Sequence, residues 1–140
     1  MIGAPVKKKI GLGLLTFLPL FAATAETRAT AGHLLQEQWP QHVMFHLLMG
    51  LSGLLAAYAL ILVLVWIPLR RGQRWAWYAV AVGALIVHGG QWLSDARTDG
   101  GLRNHAAILG SGSLVLAGIL ATLLLYAVGL ALTWPSATKS

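Results

Sequence analysis

Three long apolar runs, residues 43–67, 75–94 and 106–134, fill more than half of this 140-residue chain. Each is long enough for a helix to cross a ~30 Å hydrocarbon core, which takes ~20 residues. None shows the strict alternation of a barrel strand, and an open sheet cannot expose its edge to lipid. Helices are therefore expected. Composition agrees: 10% of the residues are charged, against about 25% in a soluble domain, too few to cover a globule with polar groups. The predicted fold class is all-α, an integral membrane bundle of about four transmembrane helices forming one domain over residues 1–140. No length remains for a soluble catalytic domain or a nucleotide-binding module. The absence of cysteine excludes disulfides, thiolate zinc sites and Cys-ligated iron–sulfur clusters.

The first apolar segment, residues 10–25, is different. Its 16 residues follow Lys7, Lys8 and Lys9 and would reach only about 24 Å as a helix. Pro19 interrupts it, and Ala23-Thr24-Ala25 precedes Glu26 like a signal-peptide cleavage site. Two readings stand, an uncleaved first span and a removed secretory signal.

The net charge of +6 would point to nucleic acid in a soluble protein. Here the basic residues flank apolar runs, so topology accounts for them and no nucleic-acid partner is expected. With the N-terminus inside, Lys7, Lys8, Lys9, Arg70, Arg71, Arg74 and Lys139 face the cytoplasm, and Arg28, Arg97 and Arg103 face out. Removal of residues 1–25 would leave the other spans in the same orientation. The expected location is a bacterial-type cytoplasmic membrane, with the C-terminus inside. All six tryptophans fall at span ends, Trp39 and Trp92 outside and Trp66, Trp75, Trp77 and Trp134 inside, as in an aromatic belt.

Helix spacing also predicts which faces look inward. His42, His46, Gly50, Gly53 and Ala57 recur at steps of three or four on the second span. Trp77, Ala81, Ala84, His88, Gln91 and Asp95 do so on the third. Ser113, Ala117 and Ala121 form a small-residue ladder on the fourth, with Gly118 and Thr122 beside it. Close packing in lipid relies on such residues, so these stripes are expected to face the bundle.

All five histidines belong to the outer half under this topology, beside Glu37, Gln91, Asp95 and Asp99. Ionisable residues at membrane depth are by default a functional site or its partner. His42 and His46, four residues apart, can place two imidazoles on one ion, and His88 would add a third. Asp95 would act as ligand or as the carboxylate that orients one. Glu37, Gln91 and His105 are supporting candidates. The cofactor is a divalent transition metal or, with His46 and His88 as axial ligands, haem b. A zinc-protease reading fails, because Val43 stands where H-E-x-x-H needs glutamate. A structural or proton-linked histidine network explains the same residues without a ligand.

The expected function is therefore a small multi-pass membrane protein with an outer His/Asp-lined pocket for a metal ion, haem or small ligand. One alternative is an accessory subunit of a larger respiratory or photosynthetic membrane complex, partnered by lipid and by other subunits or itself. Another is a metal-dependent or acid–base membrane enzyme.

Overall fold

A computed structural model of the chain describes residues 3–36, 40–97 and 112–134. They form four helices: α1 (Ala4–Gln36), α2 (Gln41–Leu64, prolonged by a wider turn over Val65–Leu69), α3 (Arg74–Arg97) and α4 (Gly112–Leu132). No strand occurs among the described residues. The helices form a ring in which α1 and α3 each pack against α2 and α4. The all-α expectation stands. Residues 106–111 of the expected fourth span lie outside the described residues.

Two helices are long and apolar enough to cross a membrane, Ala4–Gly32 and Gln41–Leu69; Leu120–Leu132 is a shorter apolar helix. Only 22% and 17% of the best stretches of the first two are buried, so they are not core helices wrapped by polar ones. Large apolar side chains project outward from every helix, among them Phe17, Phe21, Leu60, Val63, Leu85, Ile86, Leu120 and Leu124. A surface of this kind requires an apolar surrounding or further protein.

The first segment is longer than residues 10–25. Helix α1 has 33 residues and runs straight through Ala23-Thr24-Ala25. Thr24 and Thr27 donate their hydroxyls to the carbonyls of Leu20 and Ala23 at 2.9 and 2.7 Å, so these polar residues are absorbed by the helix instead of ending it. Pro19 removes one backbone donor. The helix continues across it because Leu15, Leu18, Ala22 and Ala23 pack into the core on both sides.

Pro68 shapes the end of α2. Its ring clashes with the carbonyl four residues back, and the chain responds by widening the turn. The Arg70 N–H donates to Val65 O at 3.0 Å and the Gln73 N–H to Pro68 O at 3.0 Å, each reaching five residues back. Gly72 then reverses the chain with φ +83°, a conformation open to glycine without steric cost. The connection into α3 is thus a tight turn over Pro68–Arg74.

The core consists of Leu15 and Leu18 from α1, Tyr58, Ile61, Val65 and Leu69 from the second helix and its extension, Ala76, Val80, Ala84 and Val87 from α3, and Tyr126 and Leu130 from α4. Of the predicted inward stripe on α3, Ala84 and His88 are buried and Trp77 and Ala81 are half-buried against the core, beside the fully buried Ala76 and Val80. For α2 it is displaced: Ala57 packs against the core, but His42, His46, Gly50 and Gly53 are exposed. The buried series Tyr58, Ile61, Val65 is offset from Gly53–Ala57 by one residue, about 100° of helix rotation. On α4, Ala117, Gly118 and Ala121 are exposed as well. From α2 and α4 it is large side chains, Tyr58, Ile61, Tyr126 and Leu130, that reach the core, while Gly50, Gly53, Ala117, Gly118 and Ala121 lie outside.

Close helix approach occurs instead between α1 and α4. A Cβ added at Gly11 would lie 2.8 Å from the carbonyl oxygen of Gly129 and 2.9 Å from Leu132 Cβ. Only glycine fits there. At the same end Trp77 donates its Nε1–H to Leu130 O at 2.7 Å and packs edge-on against Trp134, with centroids 4.8 Å apart. Trp77 is thus a clamp between α3 and α4 and not part of a lipid-facing belt. Trp66, Trp75 and Trp134 keep about half of their surface exposed.

Candidate functional site

The buried polar group that α3 carries into the bundle is His88. Arg74 opens the helix, and the repeat Ala76, Val80, Ala84, Val87 places a small or branched residue on the core face at each turn. His88 continues that face at 6% exposure. Ala84, one turn below, leaves room for two rings from the neighbouring helices. Tyr58 of α2 lies 6.1 Å from the imidazole, centroid to centroid, and Tyr126 of α4 lies 5.3 Å away. Both tyrosines are 2% exposed. Three helices therefore converge on one imidazole and two phenols, each able to donate and to accept a hydrogen bond. Tyr126 Oη is buried with no hydrogen-bond partner among the described residues. Such a cluster can hold a proton or orient a small polar molecule.

The expected histidine partners are elsewhere. His42 and His46 sit on the exposed side of α2, where the His46 ring packs edge-on against exposed Phe45 at 5.5 Å. No group of three His, Asp or Glu side chains placed to hold a metal ion exists among the described residues. Neither a shared ion on His42, His46 and His88 nor a haem between His46 and His88 gains support from this arrangement. Gln91 and Asp95 lie on α3, but their side chains fall outside the described part of the structure, as do Glu37 and His105 entirely.

The sequence reading missed Tyr58 and Tyr126. Both interrupt apolar runs well away from the span ends, whereas tyrosine in membrane helices concentrates at the interfaces. That misplacement was the available signal. Gly11 and Gly129 carried none, since nothing in the sequence separates them from the exposed glycines.

No family model matches the chain, and neither a curated protein nor a solved structure is similar to it.

Proposed function

We propose that the chain is a four-span integral membrane protein that serves as a subunit of a larger membrane assembly. The observation that carries this reading is the outward position of the small residues Gly50 and Gly53 on α2 and Ala117, Gly118 and Ala121 on α4. An added Cβ at Gly50, Gly53 or Gly118 meets nothing within 4 Å. These stripes offer the close backbone approach that drives helix association in lipid, and the protomer does not use them itself. The partner is a helix of another subunit or of a second copy of the chain. His42 and His46, near the start of α2, add hydrogen-bonding groups to the same face.

Membrane insertion itself rests on the apolar exterior and on the charges. Lys7–Lys9 and Arg70–Arg74 fall on one side, taken as the cytoplasmic side of a bacterial-type inner membrane. Leu15 and Leu18 in the core favour retention of α1 as a first span. Position 72, in the turn after α2, provides the test of orientation. A cysteine introduced there into this Cys-free chain should resist membrane-impermeant maleimide in intact cells and react after lysis. Labelling from outside would reverse the topology.

The subunit role has its own experiment. The Gly50→Leu/Gly53→Leu variant should fold as wild type, because the sites are open within the protomer. It should run on native gels at the mass of the detergent-bound protomer, while the wild type runs in a larger assembly. Identical migration of the two in the large assembly would remove the α2 face from the interface.

A second reading is favoured by His88. It lies about 21 Å along α3 from Arg74 at 1.5 Å per residue, past the middle of a ~30 Å core. An imidazole at that depth is the expected mark of a ligand or proton site. On this reading Tyr58 and Tyr126 complete a polar site in the outer half for a small ligand, a metal ion or haem, with Asp95 two turns further along α3.

A further inference from the structure

A groove between α1 and the end of α2 remains unassigned. It holds about 560 Å³ and is lined by Lys9, Gly13, Phe17 and Leu20 on one side and Trp66 and Arg70 on the other, with Leu12 and Thr16 at its floor. Its chemistry is polarised along its length. Two cations stand at one end: Lys9, and Arg70, whose guanidinium carbon lies 5.4 Å from the centre of the Trp66 ring. Beyond them the walls are apolar. Thr16, which lines the groove too, donates its hydroxyl to Leu12 O at 2.7 Å, so that polar group is satisfied within the helix. Phe17 and Leu20 are more than half exposed, and Gly13 has open space where a side chain would stand.

We propose that this groove binds one anionic phospholipid of the inner leaflet, its phosphate between Lys9 and Arg70 and one acyl chain along Gly13, Phe17 and Leu20. The proposal rests on the membrane reading above. From Lys9 to Leu20 the helix rises about 16 Å at 1.5 Å per residue, roughly half of a ~30 Å hydrocarbon core. That is the depth of one leaflet. The cations lie at the cytoplasmic end, where anionic lipids meet basic residues. Arg70 suits phosphate through its planar fork of donors, and stacking on Trp66 holds that fork in place. Gly13 provides the width: a chain can lie against backbone there.

The test is native mass spectrometry of the detergent-purified full chain titrated with dioleoyl phosphatidylglycerol, dioleoyl phosphatidylcholine or glycerol phosphate. The wild type should bind phosphatidylglycerol roughly thirtyfold more tightly than phosphatidylcholine, the effect of two cations near an anionic headgroup. Glycerol phosphate should not bind, because it lacks the chain. Lys9→Gln/Arg70→Gln should reduce phosphatidylglycerol to the phosphatidylcholine level. Arg71→Gln, outside the groove, should preserve the preference. Gly13→Phe should weaken both lipids, with circular dichroism and thermal stability showing that the bundle is intact. Equal binding of the two lipids by the wild type would overturn the proposal, as would a preference that survives Lys9→Gln/Arg70→Gln or is lost equally in Arg71→Gln. Carbonate extraction of membranes reads insertion separately. A chain that resists extraction yet shows no lipid preference loses the lipid site and keeps the membrane reading.

Discussion

Gly11→Leu should cost about 3 kcal/mol and dissolve the α1–α4 seam, whereas Gly13→Leu, two residues away on the same helix, should leave stability nearly unchanged. Both substitutions raise helix propensity by the same amount, so the contrast isolates packing. At position 11 the new Cβ meets the backbone oxygen of Gly129 at 2.8 Å and Thr133 Cγ2 at 2.8 Å, and a backbone atom cannot rotate away. At position 13 it meets nothing within 4 Å. Overpacking a filled interior typically costs about 1–3 kcal/mol, and a backbone collision belongs at the upper end. Thermal denaturation in detergent, followed by the loss of a monodisperse chromatographic peak, measures both variants. Equal stability would mean that α1 is not part of the mature bundle, as when residues 1–25 are removed as a signal.

The second large effect is expected at His88. His88→Ala empties the junction of α2, α3 and α4, and in a lipid-embedded bundle the loss is one of packing contacts, about 2 kcal/mol. Tyr126→Phe should behave oppositely. Its hydroxyl is buried with no hydrogen-bond partner among the described residues, so its removal should be neutral or stabilising by up to about 1 kcal/mol. The same thermal assay compares the two. If the cluster holds a ligand, His88→Ala should also remove a stoichiometric metal or a haem absorption band from the purified protein. A destabilised Tyr126→Phe would show that the phenol is satisfied by a specific interaction and that the cluster is a connected network.

Of the candidate site, His88 alone was legible in the sequence. The step from Ala84 to His88 on α3 reads directly as one face, and both residues are buried. Its partners were read less well. His42 and His46 share a face by spacing, but spacing fixes only their relation to each other and not the direction in which the face points. Tyr58 and Tyr126 come from two other helices, and nothing local relates them to His88. Their meeting depends on helix rotation within the ring.

The chain's own chemistry determined that it is helical, that its exterior is apolar, and that Pro68 and Gly72 turn it sharply between α2 and α3. Backbone hydrogen bonding and the φ of one glycine are local matters, readable from composition and spacing. Which face of α2 and α4 looks inward was decided only by the tertiary structure. In a soluble helix a polar face marks the outside; beyond the first turns of α2 the described parts of α2 and α4 are almost wholly apolar, so polarity does not say which face turns inward. The decision passes to shape. Tyr58, Ile61, Val65 and Tyr126 take the interior positions of α2 and α4, so Gly50, Gly53, Ala117, Gly118 and Ala121 face outward. Gly11 and Gly53 are the same residue in similar surroundings along the chain, and only the carbonyl of Gly129 makes one indispensable.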